Sequence, residues 1–201
     1  MKASNVHTVF PLTHFLTSFW LVEALFENNT LYNLGGYYEI KGELHIAAFT
    51  EAIRKVIGEH EIFGAKIEKV EGVPTQQFAP VVNYEMPYYD YADQLEARAN
   101  CIEKIKEDFA KPLVLSASPL FDFALYQVAE QHFFWSVKIH HILLDGWGLS
   151  LFLEQVSTNY LQLTGASKLS IPTLPTFSTY IPREQAYLKS EQFEKDKAYW
   201  L

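Results

Sequence analysis

The order of apolar and polar positions divides the chain into helical and extended segments. Apolar residues that recur every three or four positions form one stripe of a helix, and apolar residues that alternate form one face of a strand. This rule predicts helices over residues 12–26, 46–60, 94–109 and 148–163. It predicts strands over residues 32–41, 62–69, 76–79, 121–128 and 133–140. These elements alternate without a strict βαβ period, which favours an α/β two-layer sandwich with a mixed sheet.

Turn-forming residues separate these segments. Glu71-Gly72 predicts a tight turn between two strands, and residues 129–132 predict the short loop of a hairpin. Gly35-Gly36 lies inside a strand and indicates a bulge or a close backbone approach. Residues 81–92 combine proline, asparagine and several tyrosines, so we expect an irregular segment in which Tyr88, Tyr89 and Tyr91 pack on a loop.

The end of the chain differs in character from the rest. Residues 170–177 contain two prolines and resemble a linker, and a polar helix is predicted over 183–201. We therefore divide the chain into one lobe over residues 1–175 and a linker with a helix over 176–201. Because Tyr199, Trp200 and Leu201 form an apolar cluster at the last positions, we expect the parent sequence to continue.

Composition narrows the classes of function. The formal net charge is -8, and no basic face is visible that could neutralise phosphates, so nucleic-acid binding is not expected. Cys101 is the only cysteine and cannot form an internal disulfide. No apolar run approaches the roughly 20 residues that a membrane span needs. With no secretory signal over residues 1–12, the expected location is the cytoplasm.

The sharpest chemical signal is the segment His140-His141-x-x-x-Asp145-Gly146, which lies between a predicted strand and a predicted helix. Strand alternation should turn the two histidines in opposite directions, so they are poor candidates to share a metal. An imidazole titrates near neutrality and suits the proton transfer in acyl transfer, which makes His141 the candidate catalytic group. Asp145 could orient that ring or hold the loop. Gly146 permits a close approach to a ligand or a positive φ angle.

With Trp147 following, this pattern resembles the signature of non-ribosomal peptide synthetase condensation domains, which belong to the chloramphenicol acetyltransferase-like superfamily. The resemblance spans nearly the whole chain: it includes Pro11 through Trp20, Lys41 through Leu44, His60-Glu61 and Pro119 through Phe121. It implies a two-layer sandwich with a mostly antiparallel sheet and helices on one face. The chain would be the N-terminal lobe of a two-lobed domain.

The resemblance also implies a function. His141 would be the catalytic histidine, His140 and Asp145 structural supports, and Gly146 and Trp147 neighbours of the reacting centre. The reaction would be amide-bond formation between carrier-bound thioesters, with no cofactor bound directly and with substrates on phosphopantetheine arms. Partners would be donor and acceptor carrier domains, the second lobe and an adjoining adenylation domain. The isolated 201 residues would be inactive.

Four positions depart from the family pattern. The family usually has Gln at Leu16, Arg at Gly64, Arg at Asp122 and Ser at Gly148. The arginine commonly pairs with the signature aspartate, so Asp145 should have another partner or a different position. Two alternatives stay open: a stand-alone trimeric acetyltransferase-like enzyme, and a non-catalytic lobe that docks carrier proteins. Trp147 argues against an epimerisation domain.

Overall fold

The structure is a computed structural model that describes residues 8–26, 29–81, 83–169 and 174–201. Its strands are β1 (Val9–Pro11), β2 (Asn33–Lys41), β3 (Ala65–Val70), β4 (Val73–Phe78), β5 (Tyr88–Asp90), β6 (Phe121–Ala129) and β7 (His132–His140). Its helices are α1 (His14–Leu25), α2 (Ile46–Glu59), α3 (Ala97–Phe109), α4 (Gly146–Leu163), α5 (Tyr180–Leu188) and α6 (Glu191–Trp200).

Two sheets organise the strands. The larger has the order β2-β7-β6-β5, with antiparallel pairs except for the parallel pair of β5 and β6. The smaller has the order β1-β4-β3 and is antiparallel throughout. The expectation of a mixed, mostly antiparallel α/β fold is confirmed. The long strand β7 lies inside the larger sheet, so its last residue, His140, emerges from the middle of the sheet.

The two faces of β7 bury different neighbours. Its odd-numbered residues from Phe133 to Ile139 belong to the main core, which α2 and α4 cover. Phe134 belongs to a second cluster, in which Cys101 and Ile105 of α3 pack on the sheet. Helices α2 and α4 therefore form the predicted helical layer on one face of the sheet. Helix α3 adds a partial layer on the opposite face. Cys101 is fully buried in α3.

Local signals explain most helix boundaries. Thr13 begins α1 by accepting a hydrogen bond from the Leu16 N–H through its side chain, and Ser190 begins α6 in the same way. Gly35 has a φ of 133°, and a Cβ there would stand 1.9 Å from the Val137 carbonyl oxygen. The regular register of β2 with β7 excludes a bulge. The prediction of a close backbone approach at this glycine is therefore confirmed.

Several sequence predictions differ from the structure. The third helix begins at Ala97 rather than at 94, and β4 begins at Val73 rather than at 76. Residues 61–64 form a 3-10 turn, so β3 begins at Ala65 rather than at 62. Tyr88 and Tyr89 belong to the edge strand β5 rather than to a loop. The predicted helix over 183–201 is two helices, because Ser190 has extended backbone angles and caps the second one. Residues 170–173 of the predicted linker lie outside the described residues, and so do Glu27 and Asn28, which follow the first predicted helix.

The segment after the linker packs on the lobe. Ile181 of α5 is 1% exposed, and the Phe177 ring contacts the Phe78 ring of β4 with centroids 6.1 Å apart. Glu184 accepts a hydrogen bond from the His14 N–H at the start of α1, at 3.0 Å. In the part of the chain that the structure describes, no helix is both long enough and apolar enough to cross a membrane.

Candidate active site

The backbone of the motif is held on both sides of His140. The His140 N–H donates to the Leu120 carbonyl at 2.9 Å, and the His141 N–H donates to the Tyr32 carbonyl at 2.8 Å. The Leu143 N–H then donates to the His140 carbonyl at 2.9 Å, which closes a turn. The chain is therefore fixed as it leaves the sheet, and the position of His141 is set by its neighbours in the fold.

The His140 side chain is enclosed. It is 2% exposed, and its Nδ1 accepts a hydrogen bond from the Ile142 N–H at 3.1 Å. Its Nε2 lies 3.5 Å from the Glu23 Oε1 of α1. Burial lowers the pKa of His140 to about 4, and the nearby His141 acts in the same direction. His140 is thus a neutral ring at neutral pH that holds the turn after β7.

The His141 side chain has a different environment. It is half-buried, and its ring centroid lies 5.4 Å from that of Phe19 in α1. Its Nδ1 is buried and has no hydrogen-bond partner among the described residues. The rings of Phe19 and Tyr32 contact each other, and Tyr32 also lies near His140. Both histidines therefore border one aromatic pair, although only His140 is enclosed on all sides.

Asp145 is the N-cap of α4. Its Oδ1 accepts a hydrogen bond from the Gly148 N–H at 2.7 Å, and its carbonyl accepts one from the Leu149 N–H at 2.9 Å. Among the described residues, neither His141 nor any arginine forms a hydrogen bond or ion pair with Asp145. Of the two roles considered for this residue, the structure supports holding the loop. Because the Gly148 N–H donates to this cap, it is not available to stabilise the negative oxygen that forms during acyl transfer.

Gly146 and Trp147 begin α4 on the surface of this lobe. A Cβ added at Gly146 would meet nothing within 4 Å, and its φ angle is not positive. The positive-φ explanation for this glycine is therefore wrong, and the close approach to a ligand remains as its expected role. Trp147 is 74% exposed. A large apolar side chain at this exposure is available for contact with another surface.

The position of the missing arginine is closed. Gly64 is buried, and the Ala79 N–H donates to its carbonyl at 3.0 Å. Asp122, at another position where the family usually has arginine, lies 3.3 Å from the Nζ of Lys138. His60 follows the last residue of α2, and its Nε2 lies 2.6 Å from the Gln155 Oε1 of α4, so this histidine links the two helices.

Two cavities lie on the described part of the lobe, and of these only the second is lined by residues of the motif segment. One of about 410 Å³ lies between α1, β3 and the segment 112–116, with Trp20, Glu23 and Lys69 in its wall. Another of about 380 Å³ lies under Leu143 and Leu144, against the segment 174–183. Within the described ranges, no group of three or more His, Cys, Asp or Glu side chains could hold a metal ion.

Sequence patterns did not indicate Glu23 as a neighbour of the motif. It lies at the other end of the chain from the motif, so no local spacing connects the two. One signal was present: Glu23 is the single acidic residue of α1, in which most of the other residues are apolar. A lone carboxylate in such a helix indicates a specific partner, because burying a charge without one is costly.

Comparison with known proteins gives a consistent picture. The family profile described as Condensation domain matches residues 6–201. The dimodular nonribosomal peptide synthase of Bacillus subtilis (strain 168) is 33% identical over 193 residues, which are 96% of this chain and 8% of that protein. The isonitrile lipopeptide synthase of Streptomyces coeruleorubidus is 28% identical and matches 94% of this chain and 13% of that protein. The chain therefore spans a small part of these relatives.

Solved structures agree. The starter condensation domain of rhizomide synthetase has a TM-score of 0.87 and 27% identity, over 96% of this chain and 47% of that one. A variant of the same domain was solved in complex with C8-CoA and Leu-SNAC, with a TM-score of 0.89. The first condensation domain of the calcium-dependent antibiotic synthetase, at 24% identity, has the same fold with a TM-score of 0.83.

Proposed function

Because the chain belongs to the condensation domain family, we propose that it forms the N-terminal lobe of an enzyme that joins two carrier-bound thioesters through an amide bond. The single observation that carries this proposal is the presentation of the half-buried His141 at the end of the central strand β7, with its backbone bound to Tyr32. This chain aligns with about half the length of the solved rhizomide condensation domain. That share supports one lobe of a two-lobed domain over a stand-alone trimer.

The proposed chemistry uses the imidazole of His141. The acceptor amine attacks the carbonyl carbon of the donor thioester and forms the carbon–nitrogen bond. The carbon–sulfur bond breaks, the amine loses a proton, and the sulfur of the donor arm gains one and leaves as a free thiol. His141 accepts that proton or orients the amine for attack. His140 and Asp145 support the loop, and Gly146 lets the substrate approach the start of α4. Both substrates arrive on phosphopantetheine arms, so this lobe binds no cofactor of its own.

The proposed partners follow from the same reasoning. They are a donor carrier domain, an acceptor carrier domain, the second lobe and an adjoining adenylation domain. The relatives in the comparison support this proposal, since they are synthetases much longer than this chain. The complex of the rhizomide domain with an acyl-CoA and an aminoacyl thioester supports thioester substrates. The proposed location is the cytoplasm.

The decisive experiment replaces His141 with alanine in the intact domain that carries this lobe. Amide formation between two loaded carriers should fall by about 100-fold or more, because general acid–base groups contribute at this scale. His132→Ala is the matched control: it removes a histidine at the other end of β7, where the ring contacts Glu39. Full activity of the His141→Ala protein would overturn the proposal. Peptide formation by the 201-residue chain alone would overturn the assignment to one lobe.

A second function has a specific observation in its favour. Gly64 leaves no space for the arginine that the family usually pairs with its aspartate, which favours a lobe that docks carriers without catalysis. The same assay distinguishes the two functions. If the lobe is non-catalytic, the wild-type protein will bind loaded carriers. It will then form no more product than the His141→Ala protein does.

A further inference from the structure

The tautomer of His140 is determined by its hydrogen bonds. Its Nδ1 accepts the Ile142 N–H, so in the neutral ring the proton must lie on Nε2. That Nε2–H is buried and has no hydrogen bond of good geometry among the described residues. A buried donor needs an acceptor, and the Glu23 Oε1 at 3.5 Å is the acceptor that faces it.

Glu23 is suited to this role. Its side chain is 12% exposed, and it extends from α1 in the direction of the strand end. Burial raises the pKa of Glu23, and a hydrogen bond from Asn29 opposes the increase. Since the neutral His140 ring carries no charge, the contact joins a carboxyl oxygen to an N–H donor and is not an ion pair. At 3.5 Å the contact is slightly longer than a normal hydrogen bond.

The His140 ring controls the path of the motif. The Nδ1 of the ring accepts a hydrogen bond from the Ile142 N–H, and the backbone carbonyl of His140 accepts one from the Leu143 N–H. These two bonds fix the turn that contains His141. A ring that flipped or changed tautomer would lose its acceptor at Nδ1 and release the turn. His141 would then move relative to Phe19, against which its ring packs.

We propose that Glu23 is a positioning residue for the acyl-transfer site: its carboxyl oxygen accepts the Nε2–H of His140, which locks the tautomer and orientation of that ring and thereby holds His141 in place. The proposal rests on the proposed function, because it concerns the same reaction. The proposal gives α1, which lies outside the motif, a role in positioning the site. It also joins the wall of the 410 Å³ cavity, which Glu23 helps to form, to the motif turn.

The test uses two substitutions at Glu23 in the intact domain. Glu23→Met removes the acceptor but keeps the length of the side chain, and Glu23→Gln keeps an oxygen acceptor without the charge. Glu23→Met should lower kcat by about 10- to 100-fold with little change in KM, because small misplacements of catalytic groups cost this much. Glu23→Gln should restore the rate to within about threefold of wild type. Glu68→Gln is the control, since Glu68 lines the same cavity and pairs with Lys66.

A spectroscopic measurement separates positioning from simple stability. Two-bond nitrogen–proton NMR spectra of the 201-residue chain should show His140 as the Nε2–H tautomer alone in the wild type and in Glu23→Gln. In Glu23→Met they should show a mixture of tautomers. A single tautomer in all three proteins, or a loss of rate that only follows a loss of folded protein in circular dichroism, would overturn the proposal. Because the spectra need no turnover, they remain informative even if His141→Ala leaves activity intact and the proposed function fails.

Discussion

Gly64 and Ala79 lie so close that no side chain fits between them. A Cβ added at Gly64 would stand 1.6 Å from the Ala79 carbonyl oxygen, and the Ala79 N–H donates back to the Gly64 carbonyl. This contact joins the 3-10 turn after α2 to the chain that follows β4. The absence of arginine at this position is thus part of the packing, and Asp145 is the N-cap of α4.

Gly64→Ala should destabilise the lobe, and Gly64→Arg should do so more strongly. We expect at least about 2 kcal/mol for alanine, because backbone atoms must move to relieve the overlap. Urea denaturation followed by circular dichroism measures the change. Gly58→Ala is the matched control, since a Cβ there meets nothing within 4 Å, and alanine favours a helix. Equal stabilities of Gly64→Ala and Gly58→Ala would contradict the packing argument.

Asp145→Ala should cost about 1 kcal/mol of stability, because it removes the N-cap of α4. Asp145→Asn should cost little, since an amide oxygen can accept from the Gly148 N–H in the same geometry. Denaturation midpoints of the two variants measure the difference. If activity of the intact domain depends on the N-cap, the Asp145→Asn protein will remain active and the Asp145→Ala protein will not. Loss of activity in both would show that the negative charge itself matters.

Acid should destabilise the lobe through His140. Burial holds its folded pKa at about 4 against an ordinary 6.5, so between these values the unfolded chain binds a proton that the folded chain does not. The contribution is complete above about pH 6.5 and is lost as the pH falls to about 4, up to about 3 kcal/mol. Glu23, with its raised pKa, opposes this trend.

Comparison of the wild type with His140→Asn isolates this effect. The asparagine side chain can accept from the Ile142 N–H but does not titrate, so its stability should depend less on pH between 4 and 6.5. Unfolding free energies at intervals of half a pH unit measure the two slopes. Identical slopes would show that His140 is not a buried neutral ring.

Lys138 should stabilise the sheet from within. It is 3% exposed, and its Nζ donates to the Asp108 carbonyl at 2.7 Å near the end of α3, while Asp122 lies 3.3 Å away. Lys138→Met should cost about 2 kcal/mol, because it removes a hydrogen bond from a charged group to the Asp108 carbonyl. Asp122→Asn should cost less than about 1 kcal/mol, since that carboxylate is half exposed. Urea titrations of both variants test this order of effects.

Sequence patterns located the motif well because its determinants are local. Alternation along residues 133–140 and helical spacing from 148 onward predict where β7 ends and where α4 begins. The contact between Glu23 and His140 was not predictable, because it joins α1 to a strand far along the chain. The edge strand β5 has three residues, too few for a period to show, and its pairing with β6 is parallel and non-local.

The break between α5 and α6 could have been read from the sequence. Ser190 followed by Glu191 is a usual start of a helix, and the polar composition of the segment hid it. The division of the chain at residue 175 remains a prediction. The structure adds that residues after this point contact the lobe through Ile181 and through the hydrogen bond between His14 and Glu184.

The packing of α5 has a consequence for engineering. Chimeric synthetases exchange lobes by joining two sequences at a chosen residue, and the joint should not cut through a packed surface. A joint at residue 175 would pair Ile181 of one parent with the core of another and would separate Glu184 from the start of α1. A joint in the short connection at Lys189, between α5 and α6, keeps both contacts within one parent. The second parent must then match only the contacts of Tyr187 with Phe193 and Asp196.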